Sequence, residues 1–265
     1  MSLELPLKSR KKRSNKLTAL LDGGLITYRI GFACQSKDEQ GNIVPDPIEN
    51  CLHSVKIFIQ TILNDLDTDK YRLFISGENN FRYEVDPEYK SGRADKPHHY
   101  DNIRNYLLQH WNAEIVDNME EDDAMAIAQT EMYGDIDWSI KEPWNNALSC
   151  IVTQDKDLLQ VPGWNYNPIK KEKRWITEEE GVRFFYTQML TGDIVDSIKG
   201  VHGIGPKKAQ KILQDCGTEK EMLCKVGLMY AAFFEDPEEM MWINGRLLFM
   251  LREPDKQWEM PYEFL

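Results

Sequence analysis

The chain has 265 residues, with 42% apolar and 11% aromatic side chains and a formal net charge of −12. That is enough apolar matter for one large domain or two closely joined ones, and it excludes general disorder. The negative balance argues against a protein that coats DNA through its overall charge, and no run approaches the ~18–20 apolar residues of a membrane helix.

Residues 1–16, MSLELPLKSRKKRSNK, hold a basic cluster with no apolar region behind it, so they do not form a secretory signal. They read as a mobile arm, either touching an anionic partner or simply solvated. LTALLDGG (Leu17–Gly24) reads as a buried strand that ends in an aspartate and two glycines. A helical pattern follows, with Leu52, Val55, Ile59 and Ile62 on one face. YRLFISG (Tyr71–Gly77) repeats the strand pattern, a second helix places Ile103, Tyr106 and Leu107 together, and AEIVDN (Ala113–Asn118) is a shorter strand. ALSCIVTQDKD (Ala147–Asp157) is the fourth. Strands alternating with helices predict a mostly parallel sheet, whose binding crevice lies outside the carboxyl ends of its strands. Asp22, the run Glu120–Asp123, and Asp155 with Asp157 each follow a predicted strand, so they should converge on one edge of the sheet.

From about residue 175 the texture becomes helical. Thr177 and Glu180 form a capping-box pair, and no further strand is predicted. The basic segment Lys170–Arg174 reads as a solvated hairpin. The five cysteines (Cys34, Cys51, Cys150, Cys216 and Cys224) are odd in number and form no close pair, which fits reduced buried thiols and argues against a zinc cluster. The adjacent His98 and His99 read as exposed residues rather than catalysts, with metal binding as the alternative.

Two motifs carry chemistry. In MEEDDAMAIA (Met119–Ala128) four consecutive carboxylates precede an apolar run. The positive end of a helix dipole accommodates one or two such acids, at ~0.3–1 kcal/mol each. Four repel one another, and divalent ions would relieve that repulsion. In TGDIVDSIKGVHGIGPKKAQKIL (residues 191–213) a tight turn at Gly203 and Gly205 opens a helix with Pro206 at its first position. This is the form of a helix–hairpin–helix: exposed backbone N–H groups and Lys207, Lys208 and Lys211 grip a phosphate backbone without reading bases. Just upstream, Asp193 and Asp196 are spaced to face one point.

Taken in order, LLDGG, NNFRYEVDPEYKSGR, MEEDDAMAIA, VTQDKDLLQ and TGDIVDSIKGVHGIGPKKAQKIL resemble the motifs of the 5′-nuclease (flap endonuclease) superfamily over residues 17–213. The resemblance implies an α/β, PIN-like core with a mostly parallel central sheet flanked by helices, a helical arch, and a C-terminal helix–hairpin–helix subdomain. The expected division is an arm at 1–16, a nuclease core at 17–175 with the arch at 81–111, and a helical subdomain at 176–265 with its DNA-binding motif at 190–213. The implied activity is a Mg²⁺- or Mn²⁺-dependent 5′→3′ exonuclease with flap endonuclease activity. Its substrate is DNA with a 5′ end, nick or flap, or an RNA–DNA hybrid bearing a primer. Asp22 with Glu120 and Asp122 is implied for one ion, and Asp155, Asp157, Asp193 and Asp196 for a second, with Asp123 between them. Asp22 and Asp155 are central to catalysis in this scheme. Lys90 and Arg93 are placed at the scissile phosphate, Arg82 on DNA, Tyr89 stacked on a base, and K⁺ at the helix–hairpin–helix. Glu121 reads as solvated charge.

One departure stands out. The family pattern calls for another acid near Ser76 or Gly77, and the nearest here is Glu78, which either serves as a metal ligand through its longer reach or leaves the first site one ligand short. A catalytically impaired DNA-structure-binding protein is therefore an alternative. A PIN-like ribonuclease is another, which the helix–hairpin–helix argues against. A monomer in a cytoplasm, free-standing and phage-like and working beside replication proteins, completes the expectation.

Overall fold

The structure, a computed structural model, describes residues 16–92 and 95–261. Most of the basic arm and Arg93 lie outside the described residues. Strand β1 (Thr18–Asp22) runs straight into helix α1 (Gly23–Ala33). A small hairpin of β2 (Gln35–Lys37) and β3 (Ile43–Pro45) leads to α2 (Ile48–Asp65) and β4 (Lys70–Ser76). One helical turn, α3 (Arg82–Val85), precedes α4 (Tyr100–Trp111), β5 (Glu114–Val116) and α5 (Glu121–Tyr133). Strand β6 (Ser149–Val152) is followed by a pair, β7 (Gly163–Asn167) and β8 (Glu172–Ile176). The remainder is helical: α6 (Glu178–Thr191), a minimal hairpin of β9 (Gly192–Asp193) and β10 (Ile198–Lys199), then α7 (Pro206–Leu213), α8 (Glu219–Phe233) and α9 (Pro237–Leu248).

The central sheet has the order β5-β4-β1-β6-β7-β8. All its pairings are parallel except β7 with β8. One face is covered by α1, α2 and α4 through Ile26, Val55, Ile59, Ile103 and Leu107. The other is covered by α5, whose Met125 and Ala128 pack on Leu20, Phe74 and Ile151. Beyond Asp157 a separate core, built on Met189, Leu190, Leu223, Val226 and Tyr230, unites α6 to α9. Among the described residues no helix is long and apolar enough to cross a membrane.

The solvated hairpin expected at Lys170–Arg174 is present, with those residues exposed, and it adds a strand that the sequence did not predict: β8 pairs residue by residue with β7, and Trp175 and Ile176 are buried. The strand signal was hidden because only the end of β8 faces the core. Helix α4 is seated in the core, since Ile103 and Leu107 are fully buried. His99 is buried, with Nε2 2.8 Å from the Asp46 carbonyl, and anchors the start of α4 instead of lining an arch.

Candidate metal and nucleic-acid site

Strands β1, β4 and β6 all end at one edge of the sheet, and the acids gather there. Asp22 closes β1 and starts α1. Its Oδ1 accepts from the Leu25 N–H at 2.6 Å and its Oδ2 from the Thr153 hydroxyl at 2.7 Å. It is only 6% exposed, and burial, opposed by these hydrogen bonds, pushes its carboxyl up to about 6. Gly23 is required next to it, because a Cβ there would fall 2.3 Å from the Phe74 carbonyl oxygen on β4.

The first turn of α5 faces Asp22. The Glu121 N–H donates to the Ser76 hydroxyl at 3.1 Å, which fixes the start of α5 against the end of β4. A Cβ on Gly24 would stand 2.2 Å from Glu121 Oε1 and 3.3 Å from Asp22 Oδ1, so the two carboxylates share the space above that glycine. Burial first, and the charge of Asp22 next, raise Glu121 to about 7. Asp122 is raised well above its ordinary value, again by burial and then by Asp22 and Asp155. Its Oδ1 is buried without a hydrogen-bond partner.

Beyond β6, Asp155 stands exposed and Asp157 half-buried. Asp157 Oδ1 accepts from Gln188 Nε2 at 2.7 Å, and burial together with the Asp155 charge lifts its carboxyl to about 7. Asp193 and Asp196, both buried, bracket the β9–β10 turn. Lys156 Nζ donates to Asp193 at 2.6 Å, and Lys90 Nζ lies 3.8 Å from Asp196 and bonds Glu120. The outer acids thus have lysines against them. Among the described residues Glu121 and Asp122 form no ion pair.

Four expected roles change in the structure. Asp123 is fully buried and both its oxygens are engaged. Arg82 grips it at 2.5 and 2.9 Å, the Leu251 N–H donates to it at 3.0 Å and the Glu120 N–H at 3.1 Å. It has no lone pair left facing the other acids and reads as structural. Arg82, equally buried, also donates to the Leu247 and Phe249 carbonyls at 2.9 and 2.8 Å, so it ties α3 and α5 to the end of α9 and is closed to DNA. Tyr89 is 4% exposed with its hydroxyl on Glu120 at 3.1 Å, which leaves no ring face for a base. Glu78 is exposed and lines a separate cavity of about 410 Å³ with Asn79, Tyr83, Glu84 and Asp255. In the other direction, sequence reasoning passed over Glu121. Local pattern did not mark it, because only the fold shows that it faces Asp22.

Among the described residues, no three acidic, histidine or cysteine side chains close around one point as a cage. The acids form neighbouring pairs instead. The set still suits Mg²⁺ or Mn²⁺, which take hard oxygen donors, keep several waters and are commonly held by one or two carboxylates. The buried, unpartnered Asp122 Oδ1 is the atom that such an ion would satisfy.

The hairpin beside this edge is built for close backbone approach. Gly192 has φ +65°, and a Cβ on it would lie 2.2 Å from the Gly200 nitrogen. Around Gly203 (φ +73°) and Gly205 there is open space, so their backbone is free to meet a ligand. Lys207, Lys208 and Lys211 are exposed on α7, and Lys208 Nζ donates to the Gly203 carbonyl at 2.8 Å.

No family model matches the chain. It is 25% identical over 260 residues to DNA polymerase I of Lactococcus lactis subsp. cremoris, covering 86% of this chain and 28% of that protein. It is 27% identical over 240 residues to the thermostable DNA polymerase I of Thermus thermophilus, covering 84% and 26%. The chain thus spans about a quarter of the length of these relatives. In structure it is similar to a mutant T5 5′-exonuclease, with a TM-score of 0.61, 15% identity and 88% of each chain covered. The chain has the fold of that 5′-exonuclease. The catalytic core of Rad2 in complex with DNA substrate is also similar to this 5′-nuclease fold, with a TM-score of 0.51, 15% identity, and 86% of this chain and 67% of that one covered.

Proposed function

We propose that the chain is a divalent-metal-dependent 5′→3′ exonuclease that also cuts flaps, acting on duplex DNA at 5′ ends, nicks and flaps and leaving a 5′ phosphate. One observation carries this: Asp22, Glu121, Asp122, Asp155 and Asp157 meet at the carboxyl edge of the sheet, and Glu121 and Asp122 have no ion-pair partner among the described residues. Clustered buried carboxylates with raised pKa values mark a functional site when they line a crevice.

Two divalent ions held there would activate a water, neutralise the scissile phosphate and stabilise the leaving 3′ oxygen. The chain's own groups set the frame. Asp22, Glu121 and Asp122 form one side of it, and Asp155, Asp157, Asp193 and Asp196 the other. Lys90, drawn to Glu120 and Asp196 at the rim, places an ammonium where phosphate charge develops. By resemblance Arg93 joins it. The open backbone at Gly203 and Gly205 and the lysines of α7 hold the duplex by its phosphates. Strands that begin in RNA, potassium at this turn, action as a monomer in a cytoplasm and work beside replication proteins belong to the same proposal.

A 5′-labelled flap, incubated with and without Mg²⁺ and sized on a gel, tests it. Short products that need Mg²⁺ are expected, with a matched RNA-tailed flap as a second arm. The serine at the end of β4 favours a second reading, a DNA-structure-binding protein without catalysis. Tight flap binding with no products at any Mg²⁺ or Mn²⁺ concentration would select that reading.

A further inference from the structure

We propose that Glu121 is a metal-ligating residue in this chain, supplying beside Asp22 the carboxylate that the end of β4 does not provide. This rests on the metal-dependent reading above and deepens it. At the end of β4 the side chain is a serine, and its hydroxyl is already used by the Glu121 N–H at 3.1 Å. The next position cannot carry a side chain on this backbone: a Cβ on Gly77 would lie 2.0 Å from Asp117 Oδ1 and 2.9 Å from the Val116 carbonyl oxygen. No acid can therefore project from residue 77 into the crevice.

Glu121 reaches the same space from the other side. Its backbone is pinned to Ser76, and its Oε1 lies where a Cβ of Gly24 would be, next to Asp22 Oδ1. Gly24 is thus the cradle that admits the longer glutamate side chain. The neighbouring Asp122 Oδ1 is buried and unpartnered, an independent sign that a cation belongs here. The other acids of the run are occupied: Glu120 by Lys90, Tyr89 and Asn80, and Asp123 by Arg82 and Leu251.

The test is calorimetric titration of Mn²⁺ alone into the full chain, as wild type, Glu121→Gln and Asp22→Asn, with melting temperatures in chelator. Loss of a ligand should exceed the ~10–100-fold that outer-shell changes cost in affinity. For Glu121→Gln we expect Mn²⁺ affinity to fall more than ~100-fold with no drop in melting temperature. Adding Ser76→Asp to that variant should restore part of the affinity. Weaker binding in Asp22→Asn but wild-type binding in Glu121→Gln would overturn the role of Glu121 alone. So would a melting temperature several degrees lower with affinity unchanged, which would make the residue structural. A wild-type chain that binds no Mn²⁺, or an Asp22→Asn variant that binds it as well as wild type, would overturn the metal reading itself and this inference with it.

Discussion

Helices α5 and α6 begin alike and end in different chemistry. Each has three acids in its first turn: Glu121, Asp122 and Asp123 in one, Glu178, Glu179 and Glu180 in the other. In each the third acid accepts from the backbone of the residue before the helix, Asp123 from Glu120 N at 3.1 Å and Glu180 from Thr177 N at 2.9 Å. The acids of α6 each meet an arginine: Glu178 meets Arg252 at 2.7 Å, Glu179 meets Arg183 at 3.0 Å and Glu180 meets Arg174 at 3.1 Å. Their side chains stay 45–69% exposed. Burial acts upward on Glu180, but hydrogen bonds from Thr177 and the Arg174 charge outweigh it and its carboxyl lies below the usual range. In α5 only Asp123 has an arginine, and Glu121 and Asp122 are pushed up by burial against Asp22. A run of acids at a helix start is therefore not the signal by itself. What separates the two is the strand end beneath the turn and, among the described residues, the lack of an ion-pair partner for Glu121 and Asp122.

The most forceful way to break this comparison is to remove charge from the uncompensated turn. Asp122→Asn should reduce Mg²⁺-dependent flap cleavage by more than ~100-fold, beyond what outer-shell changes cost. It should also raise the melting temperature in chelator, because a buried, repelled carboxylate becomes neutral. Asp155→Ala should abolish cleavage while flap binding, followed by gel shift, stays within a few-fold of wild type. Glu179→Gln, on the compensated helix, should leave cleavage as it was. Undiminished cleavage by Asp122→Asn and Asp155→Ala would remove the site.

The next largest effect belongs to the one compensated pair of α5. Arg82→Met leaves Asp123 buried without its partner and releases the Leu247 and Phe249 carbonyls. Breaking a buried pair by removing one partner costs about 3–5 kcal/mol. Urea denaturation should show a loss of that order, and a loss under about 1 kcal/mol would mean that Asp123 finds another cation. Arg183→Met, whose partner Glu179 is a 69% exposed surface acid, should cost far less through its ion pair, because exposed pairs are worth little.

Acidity sharpens the contrast further. Asp22, Glu121 and Asp157 titrate near 6, 7 and 7 in the fold, against ordinary values of 3.8, 4.5 and 3.8. Between those values the folded chain binds more protons than the unfolded one, so stability falls as pH rises from about 4 through 7. Glu180, shifted down, works in the opposite sense and only below about pH 4.5. In chelator the melting temperature should therefore be higher at pH 5.5 than at pH 8. Mg²⁺ at pH 8 should restore part of the difference, and Asp122→Asn should shrink it. A melting temperature independent of pH across this range would mean that the acids are solvated.

Much of this was legible in the sequence, for reasons that can be named. The alternation of strands and helices predicted the sheet, and the position of acids just after strands predicted their shared edge, because parallel strands present their carboxyl ends together. Gly203, Gly205 and Pro206 announced the turn and the helix that the structure shows at Pro206–Leu213. What stayed hidden depended on contacts distant in sequence. Nothing near Arg82 indicates that its partners are Asp123, Leu247 and Phe249, so a buried clasp resembled a DNA contact. Tyr89 and Glu120 meet in the same way, across 31 positions. Glu121 looked like solvent charge because local pattern does not show which side of a helix start faces a neighbouring strand.

The smallest expected effect tests the quiet side of the comparison. At α6 the Thr177 hydroxyl accepts from the Glu180 N–H at 3.2 Å, and Glu180 returns a bond to the Thr177 N–H. Replacing such a cap by alanine typically costs about 1 kcal/mol. Thr177→Ala should therefore lower stability by about that amount in urea, with flap cleavage and Mn²⁺ affinity unchanged. The ~1 kcal/mol is what a helix start contributes when its acids serve only the helix. If Thr177→Ala also weakened Mn²⁺ binding, the two helix starts would be coupled through Gln160, which donates to the Gln188 side chain on α6 at 2.7 Å and accepts from the Met250 N–H at 3.2 Å. The clean division between a structural and a chemical acid run would then have to be given up.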